Sequence, residues 1–174
     1  MKTDISKILK QGHDYYFAEP PKYEEAKDCF TKVVEIAPNW IEGYHWLAST
    51  LEQLNLPGDA VSAYRKAIQC DQKDPRPKIA LGVLLSNLGH MKEAIAELER
   101  GVELKPHYAE ADARLFLADA YEKANQLEKA KEQWRFVEGM DPCYPSRDRP
   151  MKDARQKLSK YDNAPANQAM HQQQ

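Results

Sequence analysis

Apolar side chains recur along this chain in a four-then-three rhythm that is itself repeated. In the stretch Gly58 to Ile68, Ala60 is followed four residues on by Tyr64 and three further by Ala67. The same set stands at Ala26, Phe30 and Val33, at Ala94, Leu98 and Gly101, and at Ala130, Trp134 and Val137, so the alanines fall 34, 34 and 36 residues apart. Spacings of four and three place such side chains on one face of a helix, and a fixed long period marks stacked units. Twelve to fourteen residues before each alanine lies another small residue, Gly12, Ala48, Gly82 or Ala118. These sit in earlier segments whose apolar positions include Leu47, Leu51, Leu81, Leu85, Leu117 and Tyr121. Each unit is therefore predicted to be two helices.

The blocks run out at helix-ending signals, Pro38, Asp71, Pro106 and Pro142, since proline bars further helix. In chain order, Thr3 or Asp4 caps a first helix running from Ile5 to about Ala18, and its partner begins near Tyr23 after Pro20 and Pro21. The second unit is expected from about Ile41 to Leu54 and from Pro57 onward, proline being preorganised for a first helical turn. The third takes Pro75 to Leu88 and Met91 to Leu104, with Gly89 as a left-handed stop. The fourth takes about Tyr108 to Ala124 and Leu127 to Gly139. One short internal connection is expected in all four. The first unit nevertheless carries two extra residues around Pro20 and Pro21, and the loop His107 to Glu110 accounts for the longer last interval. Gly101, where the other units have Ala or Val, is expected to cost up to ~1 kcal/mol in helix propensity.

At these residues the chain resembles the tetratricopeptide repeat proteins, whose helix-turn-helix units stack into a superhelix. The resemblance implies an all-α fold, a right-handed superhelical α-solenoid of four such units over residues 4–142 (about 4–38, 41–74, 75–108 and 109–142), plus a C-terminal capping helix. Small residues let the two helices of a unit approach closely, and one unit could not bury its apolar face alone. After Pro142 the register stops. Met151, Ala154, Leu158 and Tyr161 then share one helical face, and the segment 147–161 is read as a helix covering the apolar side of the last unit. Residues 162–174, rich in Asn, Gln, Ala and Pro, are read as a disordered polar tail.

Charged residues make up 30% of the chain and nearly cancel at a formal net charge of −2, which argues against a dedicated binder of nucleic acid or anionic membrane. The three cysteines form no ligand or redox spacing, so no disulfide is expected and Cys29 reads as a small buried apolar residue. No apolar run has the length of a secretory signal or a bilayer span, which points to a cytoplasmic protein. Phosphate loops, nucleophile elbows, HExxH pairs and cysteine clusters are absent from the sequence. No catalytic, cofactor or metal residues are therefore assigned. Of the five histidines, only His13 and His45 are placed by the resemblance on adjacent inner helices. Asp112, Asp119 and Glu122 read as a solvated helix face.

The resemblance further implies that the first helix of each unit lines a concave surface. The candidate partner-binding residues there are Lys10, His13, Glu42, His45, Trp46, Ser49, Arg76, Ile79, Val83, Asp112, Phe116 and Asp119. Trp46, Ile79, Val83 and Phe116 would form an apolar strip of the kind that anchors peptides or helices. Alternatively, Trp46 and Phe116 are tucked between units. Some relatives clamp the acidic carboxyl-terminal tails of heat-shock chaperones with cations and amides at five places, which here are Leu9, His13, Trp46, Arg76 and Ala80. Only Arg76 carries a fixed positive charge, so that clamp is not expected. The alternation of Lys10, Glu42, Arg76 and Asp112 suits a peptide or amphipathic segment of mixed charge. The expected function is a non-catalytic protein-protein interaction adaptor binding such a segment in its groove. The alternative is a self-associating scaffold that forms a homo-oligomer through its convex or end surfaces.

Overall fold

The computed structural model describes residues 4–106, 109–140 and 148–162. Among them run nine helices and no strands: α1 (Ile5–Tyr16), α2 (Tyr23–Ile36), α3 (Ile41–Gln53), α4 (Pro57–Cys70), α5 (Arg76–Asn87), α6 (Met91–Glu103), α7 (Glu110–Lys123), α8 (Leu127–Glu138) and α9 (Asp148–Asp162). Helices α1 to α8 pair as four hairpins, each stacked on the next, and α9 packs on α8 and α7. Asp4 caps α1, its carboxylate accepting from the Lys7 amide at 3.4 Å, and Pro57 opens α4. The expected caps and stops at Thr3, Pro142 and residue 147, the start of the fourth unit at His107 and Tyr108, and the tail over 163–174 lie outside the described residues.

The repeated side chains are the core. Phe30, Leu98 and Trp134 are fully buried and Tyr64 nearly so, each contributing roughly 2–3 kcal/mol by leaving water. The small residues opposite make room for them. A methyl group at Gly12 would stand 2.6 Å from a Phe30 ring carbon, and one at Gly82 would stand 2.5 Å from Leu98 Cγ. Gly101 has the same kind of reason, since a methyl there would meet Ile79 at 2.7 Å; its propensity cost is the condition for seating Ile79 across from it.

The internal connections are not all alike. Three are short turns, 54–56, 88–90 and 124–126, and their middle residues Asn55, Gly89 and Asn125 adopt φ of 58°, 84° and 57°. Asparagine tolerates this left-handed conformation nearly as glycine does, so the two asparagines do the work expected only of Gly89. The first unit instead connects through residues 17–22, because Pro20 and Pro21 supply no amide hydrogens for such a turn.

The end of the chain needs a correction. Asp162 belongs to α9 and pairs with the buried Lys131 at 3.0 Å, so the polar tail begins after it. Tyr161 stacks on Trp134 with ring centroids 5.7 Å apart and donates to Glu122. Lys157 bonds Glu122 as well and reaches Asp119 at 3.4 Å. Asp119 and Glu122 therefore hold the last helix in place, beyond their expected role as a solvated face. Burial alone would raise the Glu122 carboxyl, but the hydrogen bonds from Lys157 and Tyr161 and the charges of Lys157 and Lys160 hold it below its usual range. Tyr64, which would decorate the convex surface if it pointed outward, is buried.

Candidate functional site in the concave groove

Side chains of α1 meet α3 at His13 and Trp46, Arg76 of α5 lies 3.9 Å from Glu42 of α3, and α5 reaches α7 directly. Between these last two lies an open hollow of about 830 Å³. Its walls are Arg76, Ile79, Ala80 and Val83 from α5, Phe116 from α7, and the linking residues Lys73, Asp74, Pro75, Leu104, Lys105, Pro106 and Ala109, with Glu52 of α3 at one side. The wall is mostly apolar, and Phe116 keeps 41% of its surface exposed. A large aromatic left open to solvent inside a concavity is the usual anchor point for a docking side chain.

The other end of the groove is closed by its own rings. Trp46 is half-buried, with His13 at 4.5 Å between ring centroids, Tyr16 at 5.4 Å and Phe17 at 5.7 Å, and it stacks over Phe30 at 6.1 Å. Tilted and edge-on contacts at these separations each add about 1 kcal/mol beyond area burial. His45 stands against Trp46 and against Tyr64. Of the two placements considered for the large aromatics, Trp46 thus packs between helices and Phe116 remains open.

The remaining sequence-predicted residues divide between these regions and the charged rim. Arg76, Ile79, Val83 and Phe116 meet in the hollow; Lys10 and Asp112 are exposed and lie outside it. Ser49 lies 3.2 Å from the Tyr64 hydroxyl, and Asp119 is engaged by α9. Arg76 is paired with Asp74 at 2.6 Å and lies 3.9 Å from Glu42, so its charge is largely satisfied within the chain. Burial would raise the Asp74 carboxyl, yet the Arg76 side chain, backbone amide and charge together hold it low. Burial pushes the His45 imidazole below its ordinary value, and the Arg76 charge adds to this against the opposing pull of Asp74 and Glu42. Among the described residues, His13 Nε2 and His45 Nδ1 are buried without a hydrogen-bond partner and no set of three or more His, Cys, Asp or Glu is placed to hold a metal.

Sequence reasoning missed Glu52, Lys73, Asp74, Pro75, Leu104, Lys105, Pro106 and Ala109 as wall residues. All but Glu52 sit in the links between units, where the helical period says nothing. The spacing Asp74-Pro75-Arg76 carried the one usable signal, since a carboxylate two residues before an arginine at a helix start can hold both its amide and its guanidinium.

A tetratricopeptide repeat family profile matches residues 22–39, 41–74 and 76–108. The chain belongs to the tetratricopeptide repeat family, whose stacked units are protein-interaction scaffolds. Mouse DnaJ homolog subfamily C member 7 is 27% identical over 139 residues, which cover 78% of this chain and 28% of that protein. The chain thus spans under a third of that relative's length. Among solved structures, YrrB, described as a TPR protein with an unusual peptide-binding site, superposes with a TM-score of 0.67 at 22% identity, over 91% of this chain and 75% of its own. PilF of Pseudomonas aeruginosa does so with a TM-score of 0.74 at 22% identity, over 94% and 72%. Among the described residues no helix is long and apolar enough to cross a membrane.

Proposed function

We propose that this protein is a non-catalytic adaptor that seats a peptide or helical segment of a partner protein in the hollow between α5 and α7. The carrying observation is the apolar wall in which Ile79 and Val83, partly buried against the core, lie beside Phe116, whose ring stays exposed whereas Trp46 is packed among rings. Docking there would remove Phe116 from water at little ordering cost to the protein, because α5 and α7 are already fixed by their units. The fold shared with YrrB supports a peptide as the ligand class.

The test is selection from a random peptide display library with the intact chain and with a Phe116→Glu variant whose helicity is first matched by circular dichroism. Peptide families enriched by the intact chain and lost with the variant are the expected result. Enrichment of one and the same set by both proteins, or of none by either, overturns the reading.

A further inference from the structure

We propose that Glu52 selects the ligand of this groove, accepting a lysine or arginine side chain that the partner segment carries beside a large apolar residue. The inference rests on the peptide-docking reading above.

Glu52 stands in the last turn of α3, half-buried, and forms part of the wall of the hollow that also contains Ile79, Val83 and Phe116. One of its oxygens accepts from the Tyr64 hydroxyl at 2.6 Å. Among the described residues, no Lys, Arg or His comes within ion-pair distance of it. Of the other charges in the wall of the hollow, Arg76 is answered by Asp74 and Glu42, whereas Lys73 and Lys105, on the links before α5 and after α6, enter no ion pair among the described residues. Glu52 is therefore the one anion of the hollow without an ion-pair partner among the described residues, set on the α3 side of a mostly apolar wall whose two unpaired lysines lie on the linking segments.

That arrangement has a cost that a cationic ligand would relieve. Burial raises the Glu52 carboxyl above its usual range, only partly offset by the Tyr64 hydrogen bond. Its charge also reaches toward the aromatic end of the groove, where the Tyr16 phenol is pushed up by burial first, then by Tyr23 and Glu52. A lysine or arginine entering there would find a carboxylate with a free oxygen and ring faces near its stem. A neighbouring apolar side chain would reach Phe116.

The library selection distinguishes this from the broader reading. Peptides enriched by the intact chain should carry Lys or Arg beside Phe, Leu, Ile or Met, and selection with Glu52→Gln should keep the apolar preference while losing the basic one. Glutamine preserves an acceptor for Tyr64, and a matched melting curve confirms the fold. For one enriched peptide, replacing its basic residue by norleucine should weaken binding to the intact chain roughly tenfold, as loss of a charge-assisted contact does. It should change binding to Glu52→Gln less than about twofold. Enriched peptides without a basic bias, or a basic bias that survives Glu52→Gln, overturn the assignment of Glu52 and leave the docking reading standing. No enrichment at all removes both.

Discussion

Lys10, Trp46, Ala80 and Phe116 occupy one position of the repeat, each two residues before the small residue of its first helix. The two ends of the groove differ in what surrounds that position. At Trp46 the first helix of the preceding unit, α1, supplies His13 and Tyr16, with Phe17 just past its end, and the ring is absorbed into an aromatic cluster. At Phe116 the first helix of the preceding unit, α5, supplies Ile79, Ala80 and Val83 and no ring, and Phe116 is left as one wall of a hollow. Equivalent positions thus divide into a structural one and an open one according to the bulk of the neighbouring unit's side chain. Where the first unit has His13, Tyr16 and Phe17 the third has Val83, Ser86 and Asn87, so a solenoid can place a docking surface by putting smaller side chains where another unit has rings.

The sharpest way to break this comparison is to truncate both aromatics. Trp46→Ala should cost about 3 kcal/mol, the low end for a large aromatic because the ring is half-buried. Phe116→Ala should cost less than about 1 kcal/mol, as an exposed position does. Urea unfolding curves measure both. Equal losses would mean that the two ends of the groove are packed alike and that the hollow is not an open surface.

What was legible beforehand follows from this division. The helices, their pairing and their buried face rest on a period, and Ala26, Phe30 and Val33 announce that face wherever they recur. The groove is defined by which side chains fail to meet a neighbour, and this depends on adjacent units taken together. His13 covering Trp46 and Val83, at the same repeat position, leaving Phe116 bare are visible only when α1 is set against α3 and α5 against α7. Glu52 escaped notice because an unpaired carboxylate looks like any other until its neighbours are placed. The α9 contacts were half legible: the apolar face of Met151, Ala154 and Leu158 was apparent, whereas Lys157 meeting Glu122 joins residues 35 apart in sequence.

The closed C-terminal end offers the next test, since polar contacts to Glu122 are added there to the buried apolar face of α9 and the stack of Tyr161 on Trp134. Glu122→Gln should cost about 1 kcal/mol at neutral pH, a modest figure because its partners are partly solvated. The carboxyl is held below its usual range in the folded state. Its contribution is therefore present above the ordinary carboxylate value and is lost as pH falls through the lowered folded one. Hydrogen exchange of α9 should accelerate over that acidic interval in the intact chain, with no matching step in Glu122→Gln. A step of equal size in both would place the acid-sensitive contact elsewhere.

A smaller stability change with a large functional one is expected from filling the hollow. Ala80→Phe places at α5 the bulk that Trp46 provides at α3, and because the space beside it is open the stability should move by less than about 1 kcal/mol. Peptides enriched by the intact chain should no longer bind this variant in a fluorescence anisotropy titration. Retained binding would mean that the ligand seats elsewhere along the groove.

The finest probe lies at the boundary between the two ends. His45 takes the repeat position that Ile79 and Leu115 take further on, so a titratable ring sits where its counterparts are aliphatic. Burial, then the Arg76 charge, keep it neutral below its ordinary value of 6.5, with Asp74 and Glu42 opposing. Protonation would also give its buried Nδ1 a hydrogen with no acceptor. Above the ordinary value His45 is neutral in both states and contributes no pH dependence. As pH falls below it, the unfolded chain takes up a proton that the folded chain refuses until its own lower value is reached, so stability declines across that interval and levels off beneath it. Melting temperature followed across the interval should show this decline in the intact chain and a flatter profile in His45→Leu. An identical profile in the two would mean that water reaches His45, and the closed end of the groove would then have to begin at Trp46.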